Sequence, residues 1–240
     1  MTERRDASDA AAVIGDVIER VFASVEHVRD LMSERYQDAV SRGESLTDAD
    51  LCAIGPSILE LLSRPGEVAV GMGLIVEPGL LPSHPLRMEW WQWGSGKEGP
   101  APLEVDLHPD SLGFYDYAAA EWFSVPRRTR KRHIVGPYVD VHGTDRYVLT
   151  LTVPVEVAGT FLGVAGADVP VTRFETLVLR RLGRTAGNVV LVNNERRIVL
   201  STSARWITGS LLPPAEESGS IHAMAQLPWQ LLVPAAPERG

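Results

Sequence analysis

The segment Tyr115-Asp116-Tyr117-Ala118-Ala119-Ala120-Glu121-Trp122-Phe123 opens the most informative part of this chain. It is followed by Gly136-Pro137-Tyr138-Val139-Asp140, by Thr150-Leu151-Thr152-Val153-Pro154, and by Gly163-Val164-Ala165-Gly166-Ala167-Asp168. Aromatic rings and carboxylates alternate here with strand-like apolar runs. A ring face attracts a cation through its quadrupole, and a carboxylate supplies a charge-assisted acceptor. The pattern therefore reads as a pocket for a small cation.

The composition fits that reading. The chain has 240 residues, enough for one large domain or two small ones, and 45% of them are hydrophobic. The net charge of -8 argues against a nucleic-acid protein, whose main binding term is phosphate neutralisation. It favours cationic ligands by long-range attraction. Cys52 is the single cysteine, so an intrachain disulfide and a thiolate cluster are excluded. The first residues lead into a charged amphipathic segment rather than an apolar signal core, and no apolar run approaches the ~20 residues of a membrane span. A soluble cytoplasmic protein is expected, with no membrane partner.

Residues 9–40 read as one long helix or a helix pair, because Val13, Val17, Val21, Val25, Val28, Leu31 and Met32 make one apolar stripe. Gly43 is the expected stop, and Thr47 the N-cap of a second helix to about residue 62, interrupted at Gly55-Pro56. Strands are expected at 68–76, 87–93 and 103–107, with a tight connection at 94–100. A turn into a short helix covers 115–123, and three antiparallel strands cover 133–141, 146–157 and 160–169. A helix at 171–182 ends at Gly183, and strands at 189–192, 198–201 and 230–233 form a smaller sheet. The domains read as 1–66, a helical region, 67–170, a larger α+β unit, and 171–240, a smaller one.

This order, with the quoted motifs in the middle, resembles the double Cache sensor domain, in which two PAS-like units follow a long N-terminal helix. Amino-acid-sensing members show Tyr-Asp-Pro-Arg-x-Arg-x-Trp-Tyr, then Pro-Tyr-x-Asp, then Gly-Val-x-Gly-x-Asp. Here Tyr115, Asp116 and Trp122 match the first block, with Phe123 where Tyr is usual. Pro137, Tyr138 and Asp140 match the second, and Gly163 to Asp168 the third. The resemblance implies an α+β fold, a ligand site in the larger unit, and a ligand ammonium at Asp168. It also implies a sensor that signals to a separate regulatory protein. The helix stripe suits either packing on its own domain or a homodimer.

One departure decides the ligand class. Ala118 and Ala120 stand where the family has arginines, and in amino-acid sensors the second arginine grips the α-carboxylate. A buried carboxylate without such a fork needs another donor or stays unpaired at a cost of several kcal/mol. The expected ligand is therefore an amine without a clamped carboxylate, such as a polyamine, a biogenic amine or a quaternary amine. Its site residues are Tyr115, Trp122, Phe123, Tyr138, Asp140 and Asp168, with Trp91, Trp93, Tyr117 and Glu121 as further candidates. Cation–π contacts of roughly 0.5–2 kcal/mol each, plus charge-assisted acceptors, suffice for micromolar binding. The alternatives are an amino-acid binder with another carboxylate donor, and an interaction module with a degenerate pocket.

Each feature has a plainer reading. Aromatic strands are usually core, Asp168 suits the cap of the helix that follows, and Asp140 suits the turn at 141–144. Asp116 reads as structural. In Glu89-Trp90-Trp91-Gln92-Trp93, alternation puts Trp91 and Trp93 on one face and Trp90 on the other, with packing as the plainer role. The basic run 127–132 reads as a solvated helix end. For an enzyme the signals are thin: the six histidines are scattered, Gly71-Met72-Gly73 lacks the rest of a nucleotide loop, and no cofactor or metal site is apparent.

Overall fold

The computed structural model describes residues 2–94, 98–141, 146–183, 188–213, 219–224 and 227–234. The connection expected around 95–97 and the turn expected at 142–144 fall outside them.

The first helix, α1 (Thr2–Ser41), is a single unbroken element. At 1.5 Å per residue it is about 60 Å long. Its buried stripe runs through Ile14, Val17, Ile18, Val21, Phe22, Val25, Val28 and Met32. Val13 and Leu31 sit at the margins of that stripe, half-buried. The helix ends in a Schellman motif: Gly43 has φ +71°, its N–H bonds the Val40 carbonyl at 2.9 Å, and the Glu44 N–H bonds Ala39 at 2.9 Å. Thr47 and Asp50 then form a capping box for α2 (Asp48–Cys52), and α3 (Gly55–Leu62) starts with Pro56 in its first turn.

The chain divides into two compact units, one of residues 20–135 and 139–170, the other of 1–19, 136–138 and 171–240. The larger holds a six-stranded antiparallel sheet of β1 (Gly71–Val76), β2 (Met88–Trp93), β3 (Pro100–Pro102), β4 (His133–Asp140), β5 (Arg146–Val157) and β6 (Thr160–Pro170). The order is β3-β2-β1-β6-β5-β4. Strand β1 is buried throughout, and so is nearly all of β6, as expected of strands covered on both faces. Between β3 and β4 lie a 3-10 turn (Tyr117–Ala119) and α4 (Glu121–Thr129).

The third strand departs from the sequence reading. Residues 103–107 alternate as a strand would, yet the paired segment is Pro100–Pro102, at the sheet edge. Proline has no N–H to give a ladder and is tolerated where one side of a strand is unpaired.

The other unit contains α5 (Val171–Leu182), ended by Gly183 at φ +67°, and a four-stranded sheet. Its strands are β7 (Val190–Val192), β8 (Ile198–Ser201), β9 (Gly219–Ala223) and β10 (Gln230–Pro234), in the order β8-β7-β10-β9. Val190, Val192, Ile198, Trp206, Leu212 and Leu232 make its core. Strand β9 escaped the sequence reading because Gly219-Ser220-Ile221-His222-Ala223 is an almost wholly exposed edge with no apolar alternation.

Two glycines test the packing in opposite directions. A Cβ on Gly73 would lie 2.1 Å from the Glu89 carbonyl oxygen and 2.7 Å from the Trp90 Cα, whereas Gly15 in α1 has open space. Gly73→Ala is expected to cost about 1–3 kcal/mol, and Gly15→Ala to add about 0.5–1 kcal/mol. Urea midpoints of the two variants read both effects, and an unchanged midpoint for Gly73→Ala would contradict the strand pairing described here.

Candidate functional site

Strand pairing fixes which side chains share a face of the larger sheet, because directly opposed residues project the same way. Gln92, Gly71, Asp168 and Thr150 form one row across β2, β1, β6 and β5. Trp90, Gly73, Gly166 and Thr152 form the next row on the same face. Helix α4 is anchored over this face, where the Thr152 hydroxyl donates to the Trp122 carbonyl at 2.8 Å. The missing side chains at Gly71 and Gly166 leave room for the Trp90 indole. Its Nε1 lies 2.8 Å from where a Gly71 Cβ would stand, and its Cζ3 lies 3.5 Å from that of Gly166.

Asp168 is the chemical centre of this face. It stands within β6, only 5% exposed, and accepts from the Thr150 hydroxyl at 2.7 Å. It caps no helix, which removes the plainer reading. Burial pushes its carboxyl up to about 7; the Thr150 hydrogen bond opposes this, the Asp140 charge adds to it, and Arg146 opposes it. Asp140 is itself only 8% exposed, at the end of β4. Arg146 donates from Nη2 to the Trp93 carbonyl at 2.5 Å. The Tyr115 hydroxyl is held well above its usual range by burial first, then by Asp140 and Asp168. Two acids and a phenol thus share one poorly solvated neighbourhood.

Trp122 borders this group. It is buried, with its ring 6.4 Å from that of Tyr115 at an angle of 47°. Phe123 and Tyr117 lie deeper, as core. Phe123 is fully buried against Tyr117, Trp122 and Phe161. The Tyr117 hydroxyl donates to the Val76 carbonyl at 2.8 Å and accepts from the Arg87 N–H at 3.3 Å. These bonds pin the 3-10 turn to β1 and to the start of β2, and burial raises the phenol to about 12. Asp116 is structural, its carboxylate accepting from the Ala119 N–H.

Three further candidates are not brought to Asp168. Trp91 and Trp93 occupy the opposite face of the sheet. Trp91 Nε1 donates to Glu89 at 2.8 Å and its ring abuts Gly55 of α3, while Trp93 Nε1 donates to the Leu62 carbonyl at 3.2 Å. Both serve to dock α3. Glu121 is exposed and lies 2.9 Å from His133 Nε2. Tyr138, half-buried in β4, groups with the other unit. The residues that sequence reasoning passed over are Trp90 and Gln92. Their shared parity in β2 was visible, but which parity faces Asp168 depends on the β1 pairings. Within the basic run, Arg127 pairs with Glu77, Arg130 pairs with Glu156 at 3.0 Å while stacking on Phe161, and Arg132 stacks on Phe22.

The raised carboxyl makes a stability prediction. A group whose folded value lies above its unfolded value stabilises the fold at low pH, and that contribution is lost as pH rises through the folded value. For Asp168 the window runs from about 4 to about 7. Asp168→Asn is expected to stabilise the ligand-free protein at pH 8 by an amount on the order of 2–4 kcal/mol, and to have little effect at pH 4. Denaturant titrations of both proteins across that window measure it, and equal destabilisation at both pH values would refute it.

No family model matches the sequence. An alignment of 159 positions, which covers 62% of this chain, is 26% identical to the methyl-accepting chemotaxis protein TlpQ of Pseudomonas aeruginosa, and it spans only 22% of that receptor. The sensory domain of the Campylobacter jejuni chemoreceptor Tlp3 superposes with a TM-score of 0.69 at 14% identity, over 98% of this chain and 92% of that one. The Tlp3 ligand-binding domain in complex with L-valine gives 0.67 at 15% identity, over 98% and 92%. The ligand-binding domain of the Pseudomonas aeruginosa receptor PctC, in complex with GABA, gives 0.56 at 17% identity, over 98% and 96%. The fold is thus α+β, one long N-terminal helix followed by two PAS-like antiparallel-sheet units, the double Cache arrangement of chemoreceptor sensory domains.

Proposed function

We propose that this chain is a ligand-binding sensor module whose larger unit takes an organic ammonium onto Asp168, beside Asp140, Tyr115 and Trp122. The observation that carries the reading is a buried carboxyl, with a second carboxylate for a neighbour, that burial holds near neutrality. Such a group costs stability when ionised alone and is stabilised by a cationic guest, which supplies charge and N–H donors together. Tyr115 and Trp122 add ring faces beside it. The similarity to receptor sensory domains supports a sensing role over a catalytic one.

Ala118 and Ala120 favour an amine over an amino acid. Ala118 lies within the 3-10 turn and Ala120 caps α4, and neither can grip a carboxylate. Signal output in this reading passes to a separate regulatory protein. One observation supports a second reading, in which the ligand is an α-amino acid: Arg146 is close enough to lower Asp168 electrostatically, and its guanidinium could substitute for the missing arginine.

Matched pairs separate the two readings. Isobutylamine differs from valine, and butylamine from norvaline, only by the carboxylate. The amines are expected to raise the melting temperature and the amino acids to do so much less; at a hundredfold excess over Kd a ligand adds about 2.7 kcal/mol. Ala120→Arg is expected to admit the amino acids. A larger shift with valine than with isobutylamine, abolished by Arg146→Ala, would establish the second reading instead, and shifts with carboxylates alone would end both.

A further inference from the structure

Buried polar atoms in folded proteins nearly always find a partner, so those that lack one ask for an explanation. Among the described residues three buried side-chain atoms have none: Glu77 Oε2, Trp90 Nε1 and Gln92 Oε1. Glu77 keeps an ion pair with Arg127 through its other oxygen. The remaining two stand on the face of the sheet that carries Asp168. Trp90 is only 6% exposed, and its Nε1 is held over Gly71. The two strand partners of Gly71 are Gln92 on one side and Asp168 on the other. An N–H donor and an amide acceptor are therefore left open in the same row as the acid.

We propose that Trp90 and Gln92 form the neutral half of the ligand site, reading a second polar group on the same guest whose ammonium meets Asp168. The indole can only donate, and the orphaned amide atom can only accept. The group they fit must accept one hydrogen bond and donate another, which a hydroxyl, a carboxamide or a neutral azole does and an alkyl chain or a second ammonium does not. The favoured ligand class is an amine carrying such a neutral group a few bonds from its nitrogen. Unlike the ammonium contact, this pair discriminates among amines, because a guest lacking the group leaves two desolvated atoms unpaired. The inference rests on the reading of Asp168 as an ammonium site.

Calorimetric titration of the full chain with ω-amino alcohols of two to five carbons, each against the alkylamine with the same number of heavy atoms, tests both. At one chain length the amino alcohol is expected to bind about tenfold tighter or more, as for one to two buried hydrogen bonds. Gln92→Leu and Trp90→Phe are each expected to shrink that preference to about threefold or less. Should Trp90→Phe fail to fold, Gln92→Leu decides alone, since that side chain is only half-buried. Equal binding of the two series, with Asp168→Asn abolishing both, overturns this inference and leaves the ammonium site standing. A preference that survives intact in Gln92→Leu overturns it too, as does pairing of the indole N–H with the Gln92 amide in a liganded crystal. Failure of every amine to bind overturns both proposals.

Discussion

Strand β6 has β1 on one side and β5 on the other, so each of its side chains must stand on one face of the sheet with no edge at which to reach water. For Val164, Ala165 and Ala167 this is simple burial. For Asp168 it forces a carboxyl into a place where ionisation is costly, and the surrounding residues answer that constraint. Thr150 opposite supplies a hydroxyl, Gly71 on the other side supplies no bulk, and α4 is tied over the face through Thr152. The dense aromatic segment at 115–123 owes its form to the same requirement: Tyr117 bolts it to the ends of β1 and β2, which leaves Tyr115 and Trp122 near the acid.

Much of the architecture could be read from the sequence, for local reasons. The α1 stripe has a helical period, Gly43 and Gly183 stop helices by adopting positive φ, and β5 and β6 are joined by the two residues Ala158-Gly159. What could not be read depends on partners far away in the chain. Residues 103–107 alternate correctly, but the strand that pairs with β2 is Pro100-Ala101-Pro102, and of the expected segment only Leu103 donates its N–H to the Trp90 carbonyl. Strand β9 carries no hydrophobic pattern, since an exposed edge needs none.

The candidate site divides along the same line. Asp168, Asp140, Tyr115 and Trp122 stand out because they belong to short motifs. Trp91 and Trp93 were as visible as Trp90, yet they serve α3 on the far side of the sheet. Only the pairings of β1 with β2 and β6 tell which face is which, and they are distant in the chain: Gly73 lies 17 residues from its partner Trp90 and 93 from its partner Gly166. The perturbed state of Asp168 was equally hidden, because its main cause is burial in the folded sheet, reinforced by Asp140 and opposed by Thr150 and Arg146.

The short β3 has a consequence for how the molecule behaves among its own copies. An outermost strand with free amides is a template on which another chain can polymerise by hydrogen bonding. Here two of the three residues that pair with β2 are Pro100 and Pro102, and neither has an amide hydrogen to offer. The margin of the sheet is thereby blunted, because stray association along that side finds no amide donor at either proline.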